Sequence, residues 1–262
     1  MTATPSNLFE SAVSLYARYR SGYPSTEIDR LAAQVGLDSG RRAIDIGCGT
    51  GQFTLPLARH AGSVVAIDPL AGMLAHGRAA ARAAALTNIV WLSGDSTQLP
   101  ALVGPGAQVA AFAASFHWTD RASVVEALDQ ILAPGASIVV IDDDLDDSEQ
   151  PGWVHAIADV RSRYRGLEPV PGAMTRLPES HQDVLEGSPF PRVRASTWSW
   201  TRQLDIDQVI GLQLTYSFST PSLLGNRMGA FCGEVRDAVL ALHPGGVVTE
   251  PFRVAVFIAS RS

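Results

Sequence analysis

The sequence predicts a doubly wound α/β fold with a mostly parallel sheet of seven strands. Five short apolar segments lie between residues 42 and 142, most of them followed by a helical segment. Continuous apolar strands are typical of parallel sheets covered on both faces by helices. After residue 142 this alternation stops, and two more strand-like segments follow at 193–202 and 247–259. Ligands of such sheets bind beyond the carboxyl ends of the strands.

Each element of this fold has its own signal in the sequence. Apolar and aromatic residues at helical spacing from Leu8 to Tyr19 predict an amphipathic helix, and a second helix is expected from Ser25 or Thr26 to Val35. The remaining expectations are strands at 43–46, 64–67, 89–92, 108–113 and 137–142, and helices at 53–60, 71–85, 121–132, 151–165, 205–216 and 224–242.

Composition limits the classes of partner. The chain has 262 residues, with 20 Lys and Arg against 26 Asp and Glu, and this net charge of −6 disfavours nucleic acid and favours a small molecule. The two cysteines, Cys48 and Cys232, form no metal-binding or disulfide pattern. The sequence shows no secretory signal and no membrane-spanning run, so a cytoplasmic protein without a metal or membrane partner is expected, in an oligomeric state that the sequence leaves open.

A glycine-rich loop follows the first predicted strand. Gly47, Gly49 and Gly51 stand at alternate positions before a helix, which is typical of a loop whose backbone approaches a ligand closely. A dinucleotide loop has Gly-x-Gly-x-x-Gly, and its third glycine would fall at Gln52. A Gly-Lys-Ser/Thr ending is absent, which excludes a nucleoside triphosphate loop.

Residues 45–51, DIGCGTG, resemble the first motif of the class I S-adenosylmethionine-dependent methyltransferases. The resemblance implies a Rossmann-like fold with an antiparallel last strand and a helical lid from the N-terminus and the C-terminal half. It also implies S-adenosylmethionine as cofactor, with S-adenosylhomocysteine as product. Asp45 would then lie near the amino group of the cofactor, and Cys48 would serve as a small packing residue.

Two further aspartates follow the second and third predicted strands. A carboxylate at Asp68 can accept hydrogen bonds from both ribose hydroxyls, as in dinucleotide folds. The resemblance places Asp95 at the adenine amino group and the backbone N–H of Ser96 at a ring nitrogen. The predicted cofactor-binding residues are Tyr19, Arg20, Asp45, Gly47, Cys48, Gly49, Gly51, Asp68, Pro69, Met73, Asp95, Ser96, Ser115 and Trp118.

Two segments narrow the resemblance. Residues 114–120 (ASFHWTD) and 16–24 (YARYRSGYP) resemble the methyltransferase-11 and methyltransferase-25 group, of which the trans-aconitate methyltransferases are members. Ser21 stands where that group usually has proline. The group acts on small molecules, so we expect methylation of an oxygen, first of all a carboxylate, in a metabolite. The alternatives are N- or C-methylation, and a fold that binds the cofactor without transferring its methyl group.

His117 is the candidate catalytic residue. Histidine titrates near neutral pH and can act as a general base, but an ionised carboxylate acceptor needs no base. The competing interpretation is that His117 caps the strand end or touches the cofactor. The acidic cluster that begins at Asp142 is interpreted as a solvated loop.

We expect one catalytic domain over residues 1–262. Within it, 1–36 are lid helices, 42–142 form the cofactor-binding core, 143–230 form a substrate lid with a strand near 193–202, and 231–262 supply the final helix and closing strand.

Overall fold

The computed structural model describes residues 5–143, 150–164 and 179–261. The chain forms two compact units. The first comprises residues 1–20, 144–175 and 199–253, and the second comprises 21–143, 176–198 and 254–262. We refer to them as the lid unit and the core unit.

One sheet contains seven strands: β1 Arg42–Ile46, β2 Ser63–Asp68, β3 Ile89–Ser93, β4 Ala107–Ala113, β5 Leu132–Asp143, β6 Arg192–Asp205 and β7 Val247–Ser260. Their order in the sheet is β3-β2-β1-β4-β5-β7-β6. Strands β1 to β5 pair in parallel, and β7 runs antiparallel to β5, so that Ser137 lies opposite Ser260 and Asp143 opposite Val254. The predicted seven-stranded, mostly parallel sheet is therefore confirmed.

The core unit is held together by the apolar central strands. Ile44 in β1, Ile67 in β2, and Phe112 in β4 are fully buried, because strands in the middle of a parallel sheet are covered on both faces. The helices of this unit are α3 Ser25–Gln34, α4 Thr54–Ala58, α5 Ala71–Ala83, α6 Leu99–Leu102, α7 Arg121–Ile131 and α9 His181–Glu186.

The lid unit is helical around a core of its own. Its helices are α1 Pro5–Glu10, α2 Val13–Tyr19, α8 Gly152–Tyr164, α10 Ile206–Gln213, α11 Pro221–Leu224 and α12 Met228–Leu242. Trp153, Ile157, Phe231 and Val235 are buried between them. Residues of β6 and β7 belong to both units. Among the described residues, no helix combines the length and the apolar character that crossing a bilayer requires.

The prediction of one continuous helix from Leu8 to Tyr19 is wrong. The segment from Leu8 to Tyr19 is divided into α1 and α2 by a turn in which the N–H of Ala12 bonds to the carbonyl oxygen of Phe9. The hydroxyl of Ser11, in this turn, accepts the N–H of Ser222 within the same unit. Apolar spacing predicted the buried face correctly, but a bond from a distant segment favours the turn.

Candidate active site

The glycine loop leaves the carboxyl end of β1 with a backbone that favours glycine. Gly47, Gly49 and Gly51 have φ angles of +72°, +53° and +91°, a region in which side chains with a Cβ are strained. The N–H groups of Gly47 and Cys48 both bond to the carbonyl oxygen of Ile67 at the end of β2, at 2.8 and 3.0 Å. The loop is thereby fixed across two strand ends.

Gly47 also has no room for a side chain. A Cβ on Gly47 would lie 2.5 Å from the Cβ of Ser115, which follows β4. The Ser115 hydroxyl donates a hydrogen bond to the carbonyl oxygen of Ile46 at 2.5 Å. The segment after β4 is therefore fastened to the glycine loop, and the predicted residues of these two segments are brought together.

Asp68 organises the same loop from the end of β2. Its two carboxylate oxygens accept the N–H groups of Gly49 and Leu70, both at 2.9 Å. Burial raises the pKa of Asp68, and these two hydrogen bonds oppose the shift. Each oxygen keeps a second lone pair, so the carboxylate can hold the loop and still accept hydroxyl groups of a ligand.

Asp45 is the most informative buried group. Its side chain is fully buried, and Oδ2 accepts the hydroxyl of Thr54 at 2.5 Å. Among the described residues Oδ1 has no hydrogen-bond partner. An unsatisfied buried carboxylate oxygen is costly unless a ligand completes it. The site therefore fits a ligand that brings a cationic or N–H group to the glycine loop, as the amino group of S-adenosylmethionine would.

The protonation of Asp45 gives a testable pH dependence. Burial raises its pKa from 3.8 to about 7; the hydrogen bond from Thr54 opposes this shift and the charge of Asp68 adds to it. The folded chain therefore holds an extra proton between pH 4 and 7, so its free energy of unfolding falls as pH rises through this window, by at most about 1.4 kcal/mol per pH unit for one group.

We expect Asp45→Asn to remove this part of the slope, because the amide carries no ionisable proton. Urea unfolding of both proteins at several pH values between 4.5 and 7.5 measures the difference. Asp38→Asn, at an exposed position, is the matched control and should keep the wild-type slope. An unchanged slope in Asp45→Asn would show that Asp45 is already ionised at pH 5.

The predicted adenine-binding pair lies at the end of β3. Asp95 is exposed, and its Oδ1 accepts the N–H of Thr97 at 2.9 Å and the hydroxyl of Thr97 at 2.6 Å. The side chain of Gln98 accepts the N–H of Asp95 in return, which completes a capping box around Ser96. Asp95 is thus held in place by local structure, with its carboxylate at the same sheet edge as Asp68.

The other predicted cofactor residues of the core unit differ in exposure. Cys48 and Met73 are buried, Trp118 is partly buried and Pro69 is exposed. Burial, with the charges of Asp45 and Asp68, raises the pKa of the Cys48 thiol well above its usual value. A protonated thiol is a poor nucleophile, which agrees with a packing role for Cys48.

Trp91 in β3 was missed from the sequence. Its ring lies against the glycine loop and α5, because a Cβ on Gly51 would lie 3.0 Å from Cη2 and a Cβ on Gly77 would lie 2.4 Å from Cζ3. A glycine inside a helix facing an aromatic strand residue is a signal that could have identified this contact. The Trp91 ring therefore packs against both the glycine loop and α5.

A second cluster lies at the ends of β4 and β5. Oδ2 of Asp142 is 2.7 Å from Nδ1 of His117 and 2.8 Å from Nε2 of His181, the first residue of α9. Burial opposes ionisation of Asp142, but the bonds from the two histidines outweigh it and hold the pKa of this carboxyl below its usual range.

The solvated-loop interpretation is therefore wrong for Asp142. The side chain is largely buried because β5 extends through Asp143 and carries Asp142 to the sheet edge beside β4. The sequence also gave no reason to single out His181, which comes from a segment with weak periodicity. Residues 144–149 of the acidic cluster lie outside the described residues.

Tyr19 and Arg20 belong to the lid unit. The ring of Tyr19 packs on Gly211 of α10, where a Cβ would lie 2.3 Å from Cε2. Arg20 donates from Nε to the hydroxyl of Thr215 at 2.9 Å, and its guanidinium lies 4.3 Å from the ring centre of Tyr216. Both have partners within the lid unit, and their cofactor role stays a prediction.

Comparison with known proteins adds the family. Residues 43–135 match the family described as "Methyltransferase domain". An uncharacterized methyltransferase of Mycobacterium tuberculosis is 31% identical over 236 residues, which are 90% of this chain and 86% of that protein. The structure of an S-adenosylmethionine-dependent methyltransferase from Thiobacillus denitrificans, in complex with S-adenosylhomocysteine, covers 100% of both chains with a TM-score of 0.57 and 16% identity.

A partial similarity points to another class of methyltransferase. The 23S rRNA (uracil(1939)-C(5))-methyltransferase RlmD of Pectobacterium atrosepticum is 40% identical over 77 residues, which are 28% of this chain and 17% of that protein. The Mycobacterium relative, by contrast, matches over 86% of its own length.

The chain belongs to the class I S-adenosylmethionine-dependent methyltransferases of the methyltransferase-11/25 type, and S-adenosylmethionine is its cofactor.

Proposed function

We propose that this methyltransferase transfers the methyl group of S-adenosylmethionine to an oxygen atom of a small metabolite. The observation that carries the cofactor half of the proposal is the buried Asp45 at the end of β1, two residues before Gly47. Its Oδ1 has no hydrogen-bond partner among the described residues. When bound, the cofactor supplies an electrophilic methyl carbon on a sulfonium. The chain has to align the acceptor with that carbon and exclude water.

The residue roles follow the order of the strand ends. We assign Asp45 to the amino group, Asp68 to the ribose hydroxyls, and Asp95 with Ser96 to the adenine. The glycine loop would wrap around the homocysteine portion of the cofactor. We keep Tyr19 and Arg20 as cofactor-binding residues, and we propose that residues 1–262 act as one catalytic domain.

Charge supports a small acceptor over RNA. A net charge of −6 repels a phosphate backbone. The similarity to RlmD is confined to 28% of this chain, and a shared cofactor-binding fold is enough to explain a match of that length. We therefore treat RNA methylation as an outcome of the screen below.

A carboxylate is the first acceptor expected, because it is already ionised at neutral pH. One observation favours a second candidate, a hydroxyl compound: His117 lies beside Asp142 at the end of the sheet, and such a pair can remove a proton. N- or C-methylation and cofactor binding without transfer are the remaining alternatives.

Two measurements test the proposal. In calorimetry, S-adenosylmethionine and S-adenosylhomocysteine should bind and NAD should not, because Gln52 stands where a dinucleotide loop has its third glycine. Methyl transfer from labelled cofactor is then screened over carboxylic acids, alcohols, phenols, amines and ribosomal RNA. Tight binding of NAD would contradict the cofactor assignment, and transfer to RNA alone would contradict the small-molecule acceptor.

A further inference from the structure

We propose that Asp142, His181 and Arg121 are positioning residues that place the lone pair of His117 on Nε2, where it removes the proton of a hydroxyl acceptor. The acceptor class that follows is a compound whose hydroxyl is protonated at neutral pH. This inference rests on the proposed function and narrows it. All four residues belong to the core unit, and their contacts form a chain from α7 through α9 and β5 to the segment after β4.

Arg121 fixes the protonation of His181. Nη1 of Arg121 donates to the carbonyl oxygen of Glu179 at 2.9 Å and lies 3.3 Å from Nδ1 of His181. A guanidinium has donors and no acceptor, so Nδ1 of His181 must accept. The proton of the neutral ring is then on Nε2, the nitrogen that faces Asp142 at 2.8 Å.

Asp142 in turn fixes the protonation of His117. The carboxylate is held in its ionised form by its two histidine neighbours, since they keep its pKa below the usual range although burial opposes this. An ionised carboxylate only accepts, so Nδ1 of His117, at 2.7 Å from Oδ2, must donate. The other oxygen, Oδ1, accepts the N–H of Asp143 at 2.9 Å and thereby holds the carboxylate plane. The lone pair of the His117 ring is therefore on Nε2.

The position of His117 suits a base. It follows Ser115 by two residues, and Ser115 is fastened to the glycine loop through the carbonyl oxygen of Ile46. His117 Nε2 takes the hydroxyl proton while the acceptor oxygen forms the new C–O bond, and the electron pair of the broken C–S bond stays on the sulfur. The imidazolium that results is stabilised by the Asp142 carboxylate. An ionised carboxylate acceptor would have no use for this arrangement.

The same three groups could hold a metal ion. The ligand atoms of His117, Asp142 and His181 all lie within 4.8 Å of one another, and two imidazoles with a carboxylate suit zinc. Zinc would need the lone pair of His181 Nε2, which would drive the proton to Nδ1 and against the donor of Arg121. The hydrogen-bonded arrangement is therefore favoured. Binding of one equivalent of zinc by the full chain after EDTA treatment, lost in His181→Gln, would overturn it.

Nitrogen-15 NMR of the histidine rings tests the protonation pattern without cofactor or acceptor. We expect the proton of His117 on Nδ1 and that of His181 on Nε2, with signals assigned by their loss in His117→Gln and His181→Gln. In Asp142→Asn the amide nitrogen faces Nδ1 of His117 as a donor. Nδ1 must then accept, so the ring proton of His117 should move from Nδ1 to Nε2. Asp143→Asn, the same charge change one residue along, should leave His117 unchanged. A proton on Nε2 of His117 in the unaltered protein would overturn the proposal.

Turnover of a series of ring-substituted phenols tests the role in catalysis. With weakly acidic phenols, we expect Asp142→Asn to lower kcat about 100-fold with little change in KM. With nitrophenols, already ionised at pH 8, the loss should shrink to less than about threefold, because no base is needed. An equal loss for all phenols would show a purely structural role for Asp142.

Other results separate this inference from the proposed function. Methylation of carboxylic acids but of no phenol or aliphatic alcohol would overturn the acceptor class inferred here and leave oxygen methylation standing. Absence of methyl transfer to every oxygen compound would overturn both. The NMR result would then still decide how Asp142 and His181 orient His117.

Discussion

Asp68→Ala is expected to weaken binding of S-adenosylhomocysteine by at least about 100-fold. The reason is the loss of two charge-assisted hydrogen bonds to the ribose hydroxyls, each worth about 1.5 kcal/mol or more. The glycine loop also loses its anchor, since Asp68 accepts the N–H groups of Gly49 and Leu70. Titration calorimetry measures the binding constant, and thermal unfolding separately measures the stability of the variant.

Asp38→Ala is the matched control for this experiment. Asp38 accepts the N–H of the residue two positions on, Gly40, at 2.8 Å, as Asp68 does with Leu70. It lies before β1, at the opposite end of the strand from the glycine loop. Its loss should lower stability without changing cofactor affinity. Equal affinity in Asp68→Ala and Asp38→Ala would mean that Asp68 serves the loop alone and that the ribose lies elsewhere.

Gly47→Ala is expected to abolish cofactor binding and to destabilise the protein by several kcal/mol. Two costs add at this position. The φ angle of +72° strains any residue with a Cβ by about 1–2 kcal/mol, and the new Cβ would lie 2.5 Å from that of Ser115. The loop or the segment after β4 has to move, and both border the cofactor site. Calorimetry and urea unfolding measure the two effects.

Gly135→Ala separates the two costs. Gly135 has nearly the same φ angle, +73°, but nothing lies within 4 Å of an added Cβ, so only the backbone strain is expected. If Gly47→Ala alone does not fold, the double variant with Ser115→Gly relieves the clash. We expect its stability loss to exceed that of Gly135→Ala mainly by the cost of the lost hydrogen bond from Ser115 to Ile46. A Gly47→Ala variant no less stable than Gly135→Ala would show that the two segments are not packed as described.

The central sheet was predictable because its signal is local. The central parallel strands lie between two layers of helices, so they appear in the sequence as uninterrupted apolar runs such as 64–67 or 138–141. The boundaries were less predictable. The fifth strand begins at Leu132 and ends at Asp143, because pairing with β4 and β7 extends it beyond its most apolar part.

The cofactor half of the candidate site was also predictable in its parts. The glycines and Asp95 follow strands, Asp45 and Asp68 lie at the carboxyl ends of β1 and β2, and parallel strands bring such residues to one edge of the sheet. Their contacts were not predictable. That Asp68 holds the loop, and that Trp91 lies against Gly51 and Gly77, depends on side-chain packing between segments far apart in the chain.

The amino-acid sequence by itself determined the doubly wound sheet, the glycine loop and the family, because these depend on local patterns of apolar, glycine and acidic residues. Only the tertiary structure decided the environment of His117. The sequence pattern predicted that Asp142 belongs to a solvated acidic loop, and His181 lies in a segment without clear periodicity. In the folded chain Asp142 lies 2.7 Å from His117 and 2.8 Å from His181, as measured from its Oδ2 to the nearest ring nitrogens. Hydrogen bonds between residues 25 and 39 positions apart depend on how strands and helices pack, which no local pattern records.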